Sequence, residues 1–208
     1  MDITKNIGQY DVEYSKCKCF WGESPGKFVL LIKRYLHDGT ILDLGAGEGK
    51  NSIYLSQNGF KIIAIECSKF AINNFKRLLK NKPIQDISII CSDVRTFETT
   101  KKFDCVIAYG LLHCLSNKTD ISNLVNKMKK WTKVEGINVI VSFTAEIPIP
   151  NVQSYLNPCF IKKHELEKWY KDWEILKMEE EIINELHPTT KIEHQHSVIR
   201  LIARKLKK

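Results

Sequence analysis

Three glycines, Gly45, Gly47 and Gly49, alternate immediately after the apolar run "ILDL" (41–44), which carries a single acid at Asp43. Two further acids close the next two apolar runs: Glu66 ends "KIIAIE" (61–66) and Asp93 ends "ISIICSD" (87–93). A glycine-rich turn lets a ligand approach bare backbone. Carboxylates at the ends of parallel strands can accept the hydroxyl and amino hydrogens of a nucleoside.

Three kinds of nucleotide loop compete for this stretch. A phosphate-cradling P-loop needs G-x-x-x-x-G-K-[ST], but Leu44 stands at its first glycine and Asn51 where its hydroxyl should be. A dinucleotide fingerprint G-x-G-x-x-G would put Lys50 at its third glycine, where a side chain obstructs helix–strand packing. G-x-G-x-G behind an acidic strand residue remains, the pattern suited to S-adenosyl-L-methionine (SAM), which has no phosphate to neutralise. Glu66 is then expected on the ribose hydroxyls, and Asp93, flanked by Val94, on the adenine amino group. The expected cofactor-binding set is Asp43, Gly45, Gly47, Asn51, Glu66, Cys67, Asp93, Val94 and Tyr109, with Cys67 a passive part of the adenosine pocket.

Elements must exist to position these residues. The segments 40–45, 61–66, 87–93, 103–108 and 137–143 are short, rich in β-branched residues and almost continuously apolar, as strands buried on both faces are. Helical patterns lie between them at 51–57, 70–81 and 121–132; in the last, Ile121, Leu124, Val125 and Met128 recur at helical spacing. Repeated β–α units of this length predict an α/β doubly wound, Rossmann-like sheet. After Phe143 the alternation stops. A Pro-bearing stretch (144–160) leads to a short helix over 164–173, then to strands over 173–182 and 197–205 with no crossover helix between them. Such strands must be antiparallel neighbours, so the sheet is expected to end in a hairpin.

The 208 residues suit one domain with appendages: an N-terminal lid segment over 1–25 and the main domain over 26–208. No apolar run of eighteen residues and no signal-peptide pattern occurs, and seven scattered cysteines make no disulfide framework. A cytoplasmic location is expected, with no membrane association. The net charge of +8 comes largely from lysines spread along helices and from the tail 204–208, which read as solvated faces; nucleic acid is not the expected partner.

These motifs resemble the class I SAM-dependent methyltransferases and, more narrowly, the tellurite-resistance methyltransferase (TehB) family. The resemblance rests on "YDVEYSKCKCFWG" (10–22), "ILDLGAGEGKNSIYLSQNGFKIIAIECS" (41–68), "FDCVIAYGLLHCL" (103–115), "HELEKWYKDWEILKMEE" (164–180), "NELH" (184–187) and "LIARK" (201–205). It implies a seven-stranded, mostly parallel sheet with a reversed last strand, and methylation of tellurite or selenium compounds with S-adenosyl-L-homocysteine as the co-product. Where the family typically has Pro-Gly-Gly before strand five, Val134-Glu135-Gly136 implies an altered turn.

On the acceptor side, Tyr10, Tyr14 and Trp21 are expected to form a lid over the site. The resemblance makes His187, in "E-L-H", the first catalytic candidate, and His113 after the fourth strand the second. A small soft nucleophile such as a chalcogen oxyanion needs alignment more than a base. A thiol, amine or carboxylate acceptor, or a SAM-binding module without catalysis, are the alternatives. Strand four ends Ala108-Tyr109-Gly110-Leu111, without the Asn/Asp-Pro-Pro-Tyr tetrad of many nitrogen methyltransferases. His194 and His196 share one face of the last strand, but no carboxylate or cysteine stands at matching spacing along it. Neither a metal nor a catalytic cysteine is expected. The oligomeric state is not legible.

Overall fold

The computed structural model describes residues 9–80, 82, 86–154, 156–189 and 191–207. In chain order the elements are α1 (Gln9–Lys16), β1 (Thr40–Leu44), α2 (Lys50–Gln57), β2 (Lys61–Glu66), α3 (Lys69–Lys80), β3 (Ile87–Cys91), β4 (Phe103–Tyr109), α4 (Lys118–Trp131), β5 (Thr132–Phe143), α5 (Lys163–Trp169), β6 (Glu174–Leu186) and β7 (Glu193–Arg204). They form one seven-stranded sheet in the order β3-β2-β1-β4-β5-β7-β6. β1 pairs in parallel with both β2 and β4, while β7 runs antiparallel between β5 and β6. The doubly wound sheet and its terminal hairpin are as the sequence predicts. The strand order reverses between β1 and β4, the switch point where such sheets bind ligands.

Two apolar layers cover the two faces. Leu42, Leu44, Val106 and Ala108 pack under α4, whose Ile121, Leu124, Val125, Met128 and Trp131 are all buried. Ile41, Ala64 and Ile107 face the other way, onto Phe28, Phe60 and Phe75. This is why β1 and β4 read as nearly continuous apolar runs; β3, at the edge of the sheet, departs from the expectation of burial on both faces, with Ser88, Ile90 and Cys91 exposed. Asn117 caps α4 by accepting from the Asp120 amide at 2.9 Å, which starts the helix before its apolar stripe begins.

Several boundaries differ from the sequence expectation; β3 ends at Cys91, two residues before Asp93, and α4 starts at Lys118 rather than 121. The helix predicted over 164–173 stops at Trp169. Tyr170 and Trp173 leave it to pack edge-to-face at 5.3 Å, and the Tyr170 hydroxyl donates to Asn138 Oδ1 at 2.8 Å, a tertiary contact that local periodicity does not encode. The terminal strands are longer than 173–182 and 197–205, because cross-strand pairing continues through Ile183–Leu186 and Glu193–His196, where polar residues interrupt the apolar run. β5 begins at Thr132 rather than 137, directly after α4, and bulges at the altered turn: the register against β4 shifts between Phe103 and Cys105.

At that bulge Glu135 adopts φ 63° with an exposed side chain, while its amide donates to the Lys205 carbonyl at 2.9 Å. A non-glycine residue in the left-handed region is strained. Glu135→Gly is expected to raise stability by about 0.5–1 kcal/mol, a gain of about 1–4 °C in Tm for a chain of this size, because glycine adopts this φ freely. Calorimetric melting checks it; a lowered Tm would mean that the carboxylate itself stabilises the turn.

Candidate functional site

The loop between β1 and α2 carries the three glycines at φ 66°, 56° and 84°, all left-handed. Each is there for a different neighbour. A Cβ on Gly45 would lie 2.8 Å from Leu111, one on Gly49 would lie 2.2 Å from the Phe75 ring, and one on Gly47 would face only the Tyr14 hydroxyl, at 3.1 Å. Gly47 therefore turns its bare backbone toward the lid, while its neighbours seat the loop on the core.

Glu66 fixes that loop from the end of β2. Its Oε2 accepts from the Gly47 amide at 2.8 Å, and its Oε1 accepts from the Cys67 and Ser68 amides at 2.8 Å each. The carboxylate is thus preorganised by three backbone donors at the neck of the site. Asp43 does something else. It is buried beneath the loop, accepts from the Ser52 hydroxyl at 2.6 Å, and burial pushes its carboxyl up to about 7 despite that bond. It does not reach the cavity wall and braces the strand–helix junction.

A cavity of about 260 Å³ opens above the strand ends, lined by Gly45, Gly47, Asn51, Glu66 and Cys67 on one side. Asp93, Val94 and Arg95 continue the wall past β3, and Tyr109, the last residue of β4, closes it. Asn51 also orders the chain entering the domain, accepting from the Gly26 amide at 2.9 Å. Asp93 is tied to Arg95, whose guanidinium meets both carboxylate oxygens and whose amide donates at 2.8 Å. Although burial acts to raise it, those Arg95 bonds hold the Asp93 carboxyl below the usual range. Cys67 and Cys114 stand in the wall with thiols pushed up to about 12, by burial first and by the Glu66 charge second. Neither is a ready nucleophile.

Tyr10, Tyr14 and Trp21 lie together over the glycine loop, the Trp21 indole donating to the Tyr14 hydroxyl at 3.0 Å and facing the Tyr10 ring at 5.5 Å. The lid is pinned by two residues not picked out from the sequence. Glu48, inside the glycine motif, accepts from the Phe20 amide at 2.7 Å, and Asn74 of α3 donates to Glu48 at 2.8 Å and to the Tyr14 carbonyl at 2.9 Å. Residues 1–8 of the expected 1–25 lid lie outside the described residues.

The two histidine candidates separate. His113 lines the cavity, buried in the short helical turn Leu112–Cys114 that follows β4; its Nδ1 accepts from the Phe143 amide at 3.2 Å, and burial lowers its pKa to about 3. With Nδ1 accepting, the neutral ring carries its proton on Nε2, so His113 is a hydrogen-bond donor rather than a base. His187 lies off the cavity wall: it stacks on Phe20 at 4.5 Å, packs against Trp21 and meets the Gln153 amide at 3.1 Å. In its place the terminal hairpin offers Glu185 and Arg200 to the cavity, joined by Lys50 from α2. Arg200 pairs with Glu181 at 2.5 Å and Glu179 at 3.3 Å. A lone arginine in the apolar run "SVIRLIA" is the signal that could have found it; Glu185 gave none, being one strand residue among many acids.

Among the described residues no helix is long and apolar enough to cross a membrane. Comparison with known proteins places this arrangement. The family model described as "Tellurite resistance protein TehB" matches residues 27–202. A probable S-adenosyl-L-methionine-dependent methyltransferase TehB of Haemophilus influenzae is 31% identical over 151 residues, 72% of this chain and 50% of that protein, so the chain spans about half the length of this curated relative. The crystal structure of TehB from Haemophilus influenzae superposes with a TM-score of 0.76 at 22% identity, covering 96% of this chain and 67% of that one. A structure from work on conversion of a disulfide bond into a thioacetal group during echinomycin biosynthesis reaches 0.72 at 18%, covering 97% and 93%. The structural likenesses establish the fold, and the family match establishes the lineage: the chain belongs to the TehB family.

Proposed function

We propose that this chain binds SAM in the cavity and transfers its methyl group to a small soft nucleophile, with a chalcogen oxyanion such as tellurite or selenite as acceptor. The observation that carries this reading is that the Gly45–Gly47 backbone and the Glu66 and Asp93 carboxylates, from three successive strand ends, line one cavity beneath an aromatic lid. The residues fit the cofactor. The space at Gly47 is one that a Cβ would fill, and Glu66, with three of its acceptor positions used by backbone amides, keeps a lone pair on Oε2 for a ribose hydroxyl. Asp93 can take the adenine amino group by giving up one of its Arg95 bonds, with Val94 as the apolar flank.

Bound there, SAM would supply a methyl group on a sulfonium: the acceptor's lone pair, held in line at about 3–3.5 Å, would bond to the methyl carbon as the S–CH3 bond breaks and S-adenosyl-L-homocysteine leaves. The chain's task is to hold and align. Tyr10, Tyr14 and Trp21 cover the site and exclude water, and His113 donates from Nε2 to an acceptor oxygen. Lys50, Arg200 and Glu185 make the acceptor side polar, with the Arg200 charge answered by Glu179 and Glu181. None of these is a strong base at neutral pH, which suits a nucleophile that needs no deprotonation. The apolar Phe143, Ile183 and Val198 in the same wall favour a second reading, an organic thiol acceptor.

The test is transfer of label. The purified chain is incubated with methyl-labelled SAM and, separately, tellurite, selenite, a thiol, or buffer alone, and volatile and soluble products are counted. Label in a soluble methylated oxyanion is expected with tellurite or selenite, and volatile label only when a thiol reductant is added to remove the oxygens. Label only with the thiol moves the assignment to the second reading, and SAM binding without product from any acceptor leaves a binding module.

A further inference from the structure

The same wall of the hairpin carries a cluster for which methyl transfer has no use. Glu185 of β6 lies directly opposite His194 of β7, and His196 follows two residues on, so all three project from one face. One donor atom from each lies within 4.8 Å of the others, and Glu185 Oε2 stands 3.7 Å from His196 Nε2. Glu185 Oε2, His194 Nε2 and His196 Nε2 are all buried without a hydrogen-bond partner among the described residues. Three converging orphans in one place are exceptional, because buried polar atoms are ordinarily paired.

From this we infer that Glu185, His194 and His196 form a binding site for a divalent transition-metal ion, with Zn²⁺ the best match. Two neutral imidazoles and a carboxylate are the donor set of open four-coordinate zinc sites, where the fourth position is left to water or substrate. Donors around such an ion stand about 3.4 Å apart for metal–ligand distances near 2.1 Å, so the Glu185–His196 pair is almost in place and small side-chain rotations bring in His194. The outer contacts already orient the ligands. His194 Nδ1 donates to the Ile192 carbonyl at 2.9 Å, which leaves Nε2 with the free lone pair, and the His196 ring is held flat against Phe143 at 4.1 Å. The carboxylate was invisible along the last strand because it arrives from the neighbouring one. Glu185 also lines the cavity, so the ion would sit at the acceptor wall.

The test needs no methyl acceptor. The full chain is stripped with a chelator, then titrated with Zn²⁺ alone by calorimetry and with Co²⁺ by absorption. One ion per chain is expected, with a raised Tm and a cobalt spectrum lacking a thiolate charge-transfer band. His194→Ala, His196→Ala and the milder Glu185→Gln should each weaken binding by about a hundredfold, since loss even of outer-shell partners costs about ten- to a hundredfold. Melting of each metal-free variant separates lost ligation from lost folding. Absent binding, a thiolate band pointing to Cys17 and Cys19, or affinity unchanged in folded variants would overturn the site. Each of those results leaves the SAM reading untouched.

Discussion

Glu66→Ala will raise the dissociation constant for SAM about ten- to a hundredfold, equivalent to about 1.4–2.7 kcal/mol. Two effects add. On the proposed placement of the cofactor, the substitution removes a charged acceptor for ribose hydroxyls, worth about 1.5–3 kcal/mol per bond to a charged group. It also strands the amides of Gly47, Cys67 and Ser68, each now donating to that carboxylate at 2.8 Å, so the glycine loop loses its brace. Glu66→Gln removes less: its amide oxygen can retain the Cys67 and Ser68 bonds, which keeps the end of β2 ordered, but its NH₂ group confronts the Gly47 amide, so the loop brace and most of the affinity are still lost. Calorimetry with SAM and with S-adenosyl-L-homocysteine, alongside ligand-free melting of both variants, provides the readout. An unchanged dissociation constant in a folded Glu66→Ala variant removes the ribose from this end of β2.

The parts of the site that could be read from the sequence are those set by chain order. Glycine loop, Glu66 and Asp93 sit at successive strand ends because parallel β–α units deliver successive carboxyl ends to one edge. Lid residues Tyr10, Tyr14 and Trp21 were legible as aromatics ahead of the first strand, yet their anchors Glu48 and Asn74 were not, because the Phe20–Glu48–Asn74 link joins segments remote in sequence. The histidines show the same division. His187 is in the hairpin loop where expected, but whether a loop side chain faces the cavity or, as here, Phe20 and Gln153 depends on packing that periodicity does not report. Likewise the pairing of Glu185 with His194 is a fact of register, set by the length of the hairpin rather than by spacing along either strand. Asp43 illustrates the converse: its motif position was plain, while its role as a buried brace on Ser52 follows only from geometry.

Gly49→Ala tests what the third glycine is for, and a loss of about 2–4 kcal/mol is expected, with Tm falling by about 5–15 °C. Left-handed backbone at φ 84° contributes about 1–2 kcal/mol of that for a residue with a side chain. The remainder comes from a Cβ placed 2.2 Å from the ring of Phe75, which is fully buried and has no room to turn aside. Gly59→Ala isolates the first contribution, since Gly59 has a similar φ of 91° and nothing within 4 Å of its would-be Cβ. Gly47→Ala shares that backbone cost at φ 56°, but its Cβ meets only the Tyr14 hydroxyl, at 3.1 Å, so stability should fall about as in Gly59→Ala while SAM affinity falls in addition. Denaturant titration and SAM calorimetry on the three variants decide between a ligand-driven and a packing-driven motif. If Gly49→Ala costs no more than Gly59→Ala yet abolishes SAM binding, the third glycine serves the cofactor directly. The expected order instead makes only the middle glycine a contact for the ligand, with Gly45 and Gly49 holding it there through Leu111 and Phe75.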